Sequence, residues 1–394
     1  KIDIYSERVA FAENISLFLQ NPEVTPLIQD EILDYKISYD NKKIAYITLV
    51  GKKYQVKTLN LDKEETSLLY NSSLPVEMLG WSFSNNKLLI SNHPNPSLSK
   101  ERGPAISPQT EYIILELDKP EQSIILSQFE FIDRSTKITN LQKKKTILTN
   151  TKWDLIDDNT LYSLAGNTLY QINLWDKKVE SINYFQAPSK SQIIDFLVED
   201  NLVYYIISDQ QTSWIKQVKL KSQDKPTNIA ELPLSFDYIF TDPQNKFLNI
   251  IDTGNQTIRI INPQAKEIEK AVLTKFFANQ TSWANEGQFL YWDDFELGIF
   301  NLYPDSQTSL YKKEVLSRYS QIIKKALWYA ENNYLIFNLD NSIYAFELDS
   351  RDKRNITKLL ETDEIKNLFP GEKRFIYLIG TVGGNEGVYK IKVQ

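Results

Sequence analysis

The chain has 394 residues with 45 basic and 51 acidic side chains, a formal net charge of −6, one histidine and no cysteine. The lack of cysteine excludes disulfides, thiolate metal sites and cysteine nucleophiles. The mildly acidic, evenly mixed charge argues against duplex nucleic acid as a partner, because phosphate binding needs a basic field. No stretch approaches the roughly 18 consecutive apolar residues of a membrane span. An apolar fraction of 42% with 12% aromatics is enough for a packed core.

In chain order, Arg8-Val9-Ala10-Phe11 and Ile15-Ser16-Leu17-Phe18 read as a short hairpin. The phrase Ser38-Tyr39-Asp40-Asn41-Lys42-Lys43-Ile44-Ala45-Tyr46 is a polar turn feeding an apolar strand, and degraded copies of it recur. Its strand recurs at Leu88-Leu89-Ile90, Leu161-Tyr162-Ser163, Leu202-Val203-Tyr204 and Phe247-Leu248-Asn249. Further copies follow at Phe289-Leu290-Tyr291, Leu335-Ile336-Phe337 and Phe375-Ile376-Tyr377. A period of about 40–46 residues is that of a four-stranded blade. The interval from Leu88 to Leu161 is longer because it holds two polar stretches, at about 94–110 and 130–145; without them the period returns.

Trp81, Trp153, Trp283 and Trp328, with Phe196, fall just before the turn and are expected to pack between blades. Thr362 to Asn367 reads as one helical turn. The last unit ends on Val388–Val393, its third strand, so an N-terminal strand must supply the fourth; otherwise a sheet edge is left open. The chain therefore reads as all-β, a single propeller over residues 1–394. Its blades are four-stranded and antiparallel, eight in number with seven as the alternative, and an N-terminal strand closes the set.

The turn phrase resembles the PD40, or TolB-like, WD40-related propeller repeat, which reads Ser-Pro-Asp-Gly, a Lys-rich step, then an Ile-Ala-Phe-like strand. Ser38, Asp40, Lys42, Lys43, Ile44, Ala45 and Tyr46 match that pattern. Tyr39 and Asn41 replace the Pro and Gly, and Asn is the next-best residue to Gly where φ is positive. Trp81-Ser82-Phe83-Ser84-Asn85-Asn86-Lys87-Leu88 is a second copy, and Thr241-Asp242-Pro243-Gln244-Asn245-Lys246-Phe247 a looser third. The resemblance implies a fold rather than an activity. Similar repeats occur in periplasmic and surface binding proteins and as gating domains on serine peptidases, whose α/β-hydrolase half has no counterpart here.

Little in the sequence carries chemistry. His93 is the one imidazole, and no Gly-x-Ser-x-Gly elbow accompanies it. One histidine without cysteine gives no zinc, copper or haem site. No Walker A or Gly-x-Gly-x-x-Gly sequence is present, and the glycines from Gly380 to Gly387 read as a strand connection. No catalytic group, cofactor or metal is therefore expected. Asp157-Asp158 and Asp293-Asp294 read as turns, since neighbours on a strand point to opposite faces. Asp252-Thr253-Gly254-Asn255 reads as a hairpin turn, because it lacks calcium-loop spacing.

The two polar stretches are the remaining clue. One links the second strand to the third, the other links two blades, so both should emerge on the same face. Together they carry Lys100, Arg102, Arg134, Lys137, Lys143, Lys144 and Lys145 against Glu101, Glu130 and Asp133, a basic group on an acidic chain, with His93 where the first stretch begins. The expected function is recognition without catalysis, with a protein or an anionic polymer or envelope surface held on that face. The alternative is a glycan hydrolase or lyase whose carboxylates converge at the channel mouth. Cysteine avoidance favours an extracytoplasmic place, periplasmic or cell-surface, and a start at Lys1 leaves room for an upstream signal or anchor.

Overall fold

The computed structural model describes residues 22–92, 111–132, 149–185, 190–241, 247–265, 272–278, 280–285, 287–302, 312–329, 333–349, 354–372 and 374–393. These residues form an eight-bladed β-propeller, all-β, of antiparallel four-stranded sheets ordered along the chain. Seven blades are thereby ruled out. The eight strands anticipated from the repeat are each the second strand of a blade. The hairpin expected at Arg8–Phe18 lies outside the described residues.

Four blades come from the first part of the chain. They are β2–β5 (Asp34–Ile37, Lys43–Val50, Lys53–Asn60, Glu65–Ser72) and β6–β9 (Val76–Trp81, Lys87–Asn92, Glu111–Glu116, Ile124–Ile125). The third is β11–β14 (Thr149–Trp153, Thr160–Ala165, Thr168–Asn173, Lys178–Tyr184), and the fourth is β15–β18 (Gln192–Glu199, Leu202–Ser208, Thr212–Lys219, Thr227–Pro233). The others are β19–β22 (Tyr238–Phe240, Leu248–Asp252, Thr257–Ile261, Val272–Phe277) and β23–β26 (Gln280–Asn285, Gln288–Trp292, Glu296–Asn301, Lys312–Arg318). Then come β27–β30 (Ala326–Tyr329, Tyr334–Leu339, Ser342–Glu347, Ile356–Glu361), and β31–β33 (Glu364–Pro370, Phe375–Val382, Asn385–Lys392) with β1 (Glu23–Ile28).

By packing, the chain divides into two compact units: Ile32–Phe240 with Pro263–Val272, and Lys1–Glu31 with Thr241–Asn262 and Leu273–Gln394.

In the Ile32–Phe240 unit, apolar side chains of successive sheets fill the space between blades. Trp81 is buried among Ala45, Ile47, Val56 and Ile90, joining the first blade to the second. Trp153 does the same with Leu89, Ile114 and Ile172, and Phe196 with Tyr162, Leu164 and Val203. Each indole also donates its N–H to the inner strand of the preceding blade, Trp81 to the Lys36 carbonyl at 3.0 Å and Trp153 to that of Gly80 at 3.2 Å. A buried indole N–H without an acceptor would be costly, so these bonds set where the large side chain can sit.

One feature departs from the expected boundaries. Glu130 does not open a polar insertion: β10 (Glu130–Ile132) runs parallel to β14 as a fifth strand on the outer edge of the third blade. Strand β9 is only two residues long and pairs with Ile113 and Ile114 before a 3-10 turn at Leu126–Gln128.

In the second unit, Trp328 packs between the blades of β24 and β28 and donates to the Ser282 carbonyl at 2.8 Å. Trp283 stacks obliquely on Phe289, but its buried indole N–H has no acceptor among the described residues. The helical turn expected at Thr362–Asn367 is instead the start of β31. Asp363 serves a neighbouring turn there, accepting the Gly384 amide through Oδ2 at 2.8 Å. Strand β1 pairs antiparallel with β33, so the N-terminal strand completes the last blade as the sequence required.

Close backbone approach governs that pairing. A Cβ on Gly387 would collide with the Ile28 carbonyl of β1, whereas one on Gly80 would meet nothing within 4 Å. Gly387→Ala is therefore expected to cost about 1–3 kcal/mol as an overpacked contact and to loosen β1. Gly80→Ala should be neutral or slightly stabilising, because it removes backbone freedom from the unfolded chain. Urea denaturation, with limited proteolysis reporting cleavage near residues 22–31, checks both.

Candidate functional site

All the sequence-predicted site residues lie outside the described residues: His93, Lys100, Arg102, Arg134, Lys137, Lys143, Lys144 and Lys145. Their flanks are placed. The first stretch leaves β7 at Asn92 and returns at Glu111 on β8; the second leaves β10 at Ile132 and returns at Thr149 on β11. In an up-and-down blade both gaps open at the end where blades are linked, opposite the β2–β3 turn. The two ends of the Ile32–Phe240 unit are called the link end and the turn end below.

The link end presents apolar side chains from loops held by polar bonds. Leu33, Val50, Leu74, Leu234 and Phe236 are exposed there, Phe236 at 53%. The loop carrying Leu234 and Phe236 is fixed from below. Ser208 and Ser213, both buried, share a hydroxyl bond of 2.6 Å, and Ser208 donates to the Ser235 carbonyl at 2.7 Å. The Ser235 amide donates to Ser213 Oγ, and Tyr238 Oη donates to the Pro233 carbonyl at 2.9 Å. Two exposed apolar side chains thus sit on a loop with little freedom to lose.

The turn end explains the repeat phrase. Ser38 closes the first turn in both directions: its amide donates to the Lys43 carbonyl, and its Oγ accepts the Lys43 amide, each at 2.9 Å. Ser82 repeats both bonds with Lys87. Asn41 and Asn85 take φ of 56° and 60°, the left-handed turn position where the resembled repeat carries Gly.

The turns are also stapled to one another. Asn85 Oδ1 accepts the Tyr39 amide at 2.8 Å, and Lys43 Nζ donates to the Asn85 carbonyl at 2.9 Å. One blade on, Asp158 Oδ1 accepts the Ser84 amide at 2.9 Å, and Lys87 Nζ reaches the Asp158 carbonyl and Asn159 Oδ1. Burial alone would raise the Asp40 carboxyl, but hydrogen bonds from the Ser38 hydroxyl and Lys42 amide, with the Lys43 ammonium nearby, hold it below its ordinary value. A further element was missed from sequence: Leu61, Leu117 and Leu174, each just after a third strand, donate their amides to the carbonyls of Lys42, Asn86 and Asn159. A leucine directly after the third strand, found in six of the eight blades, was the available signal.

Several carboxylates elsewhere are occupied by structural bonds. Asp195, buried on β15, accepts Lys152 Nζ and Asn150 Nδ2 at 2.6 Å and the Phe240 amide at 2.7 Å, tying β11, β15 and β19 together. Asp154 caps the Ile156 and Asp157 amides, Asp157 caps that of Asn159, and Asp293 caps Phe295 and Glu296. Asp252 accepts from Asn255 across the hairpin turn read from the sequence. Among the described residues no group of three or more His, Asp or Glu side chains is arranged to hold a metal ion, and no helix is long and apolar enough to cross a membrane.

Comparison with solved structures settles the architecture. The C-terminal WD40 domain of Sif2 superposes with a TM-score of 0.53 at 12% identity, covering 94% of this chain and 98% of that one. The fold is a WD40-type β-propeller. A eukaryotic initiation factor matches with a TM-score of 0.54 at 12% identity, over 89% of this chain and 82% of the other. The Porphyromonas gingivalis dipeptidyl peptidase 4 matches with a TM-score of 0.50 at 10% identity, over 84% of this propeller but only 52% of the peptidase. No protein-family model and no curated protein matches the sequence. At such identities the likeness establishes the fold alone.

Two measurements test the stapled turns. Asn85→Ala loses both the acceptor for the Tyr39 amide and the ease of positive φ, so it should cost about 1–3 kcal/mol. Asn85→Gly should cost less, because only the acceptor is lost. The depressed Asp40 carboxyl stabilises the fold above its unfolded pKa, and that contribution disappears as pH falls through the lower folded value. The stability gap between wild type and Asp40→Asn should accordingly be widest near neutrality and close below about pH 4. Urea titrations across pH read both effects.

Proposed function

We propose that this propeller is a non-catalytic recognition module that binds a protein partner through the link end of its Ile32–Phe240 unit. The observation that carries the reading is the loop of Leu234 and Phe236: exposed apolar side chains fixed by a buried serine network. Ordering is largely complete before binding there, which lowers the cost of association. Leu33, Val50 and Leu74 extend the apolar surface at the same end. The two basic stretches begin and finish at this end, so an acidic rim on the partner would complement the lysines and arginines of the sequence.

The glycan-enzyme alternative needs paired carboxylates converging on a pocket. Of the adjacent acids, Asp157 and Asp293 cap their own turns and Asp158 accepts the Ser84 amide, which gives that reading no supporting observation. The Ser38–Tyr46 phrase supports kinship with PD40 repeats. Cysteine avoidance supports an extracytoplasmic place, where the partner would be an envelope or surface protein.

The test is cross-linked affinity capture from the source cells with wild type, Leu234→Ser/Phe236→Ser and Lys143→Ser/Lys144→Ser/Lys145→Ser proteins. One protein recovered with wild type and reduced at least tenfold by the first variant, with an unchanged melting temperature, is the expected result. Equal recovery by all three proteins, or turnover of chromogenic glycosides by the wild type, would overturn the reading.

A further inference from the structure

The turn end of the same unit carries a second surface, built differently. Each of its first three blades places a large apolar residue at its first-to-second-strand turn: Tyr39, Phe83 and Ile156, exposed at 51%, 55% and 74%. In the third-to-fourth-strand turn of the third blade, Trp175 is 79% exposed. Turn chemistry does not require these side chains, because Ser38, Asp40 and Asn41 close the first turn and Ser82 and Asn85 the second. At this position the turn asks only for a backbone amide, and Tyr39 supplies one to Asn85.

The turns that carry the four side chains are bonded in sequence. The Tyr39 turn is bonded to the Asn85 turn, and the Ser84 amide to Asp158. Asn159 in turn accepts the Leu174 amide, the residue next to Trp175. The row is therefore a fixed rail across three blades.

Charge is one-sided around Ile156, whose turn carries Asp154, Asp157 and Asp158 and no basic residue. Asp40 stands beside Tyr39 and Asp176 beside Trp175. Of the four lysines in these turns, Lys42 is paired with Asp62 at 3.1 Å, Lys43 and Lys87 direct their ammonium groups onto turn carbonyls, and Lys177 is exposed two residues from Trp175. The outer turns are mixed in charge. An anionic membrane or a nucleic acid meets no basic field at this end.

We infer that the rail of Tyr39, Phe83, Ile156 and Trp175 is a docking surface for a basic, extended protein segment with apolar residues interleaved between lysines or arginines. The apolar side chains would pack along the row, Trp175 acting as an aromatic anchor. The cationic side chains would meet the aspartates between them, favouring fast encounter and rejecting acidic segments.

The test is selection of a phage-displayed random dodecapeptide library against the intact chain, followed by affinity measurement on synthetic copies of the selected peptides. Expected are peptides mixing Lys or Arg with apolar residues, weakened at least tenfold by Phe83→Ser/Ile156→Ser but unaffected by Leu234→Ser/Phe236→Ser. Their binding should blue-shift tryptophan emission, and Trp175→Phe should abolish that shift. All three substitutions fall on exposed positions, so unchanged far-UV circular dichroism and melting temperature are expected and would confirm folding.

Acidic or uncharged selected peptides, or basic ones insensitive to Phe83→Ser/Ile156→Ser, would overturn the proposal. So would self-association in sedimentation that the same pair abolishes, since the occupant would then be a second copy, or rail-dependent binding to phosphatidylserine vesicles. The link-end variant separates failure here from failure of the proposed function.

Discussion

Apolar faces can slide over one another, because hydrophobic burial has no preferred direction. What fixes one blade against the next in this protein is a small set of polar bonds from side chains onto a neighbour's backbone. Trp81, Trp153 and Trp328 reach back to the inner strand of the preceding blade. Lys43 and Lys87 reach forward to the next turn. Each such bond satisfies a buried or half-buried donor that would be costly to leave unpaired, so register and burial are specified together. Asp195 adds a buried centre of the same kind, gathering donors from β11, β15 and β19.

The candidate surfaces of the Ile32–Phe240 unit follow from this stapling. A loop braced by Ser208, Ser213 and Tyr238 presents Leu234 and Phe236 at one end. Turns braced by Asn85, Asp158 and Asn159 present Phe83, Ile156 and Trp175 at the other. In both places the backbone is held by hydrogen bonds while large apolar side chains leave much of their surface exposed. The physical advantage of such an arrangement lies in association, where a rigid anchor loses little conformational entropy.

The architecture was legible because its signals are local. Ser38, Asn41 and Lys43 each perform a turn function that only a few residue types can supply, and their spacing repeats. The inner-strand tryptophans were legible as blade packing for the same reason, although their N–H acceptors were not, since a backbone carbonyl leaves no mark in a sequence. Strand β10 escaped notice because Glu130-Phe131-Ile132 is too short to show a period and borders a polar stretch. Thr362–Asn367 looked like a helix start because Thr and Asp favour such positions, but Asp363 is used to cap a turn from a different hairpin. The exposed rail was hidden because Tyr39 and Phe83 adjoin strands rich in buried apolar residues. Pattern alone does not separate an apolar residue facing water from one facing the core.

Amide hydrogen exchange on the intact chain, resolved to the Tyr39 and Ser84 amides, tests most directly whether blade-to-blade stapling makes these turns rigid. Both amides sit in solvent-facing turns but donate to side chains of the next blade. Stapling predicts that they exchange together, slowed to the range of the neighbouring strand amides by a shared opening of the turns. Exchange at the rate of the untethered turn at Lys52 would contradict it, and with it the claim that the apolar row is held ready for a partner.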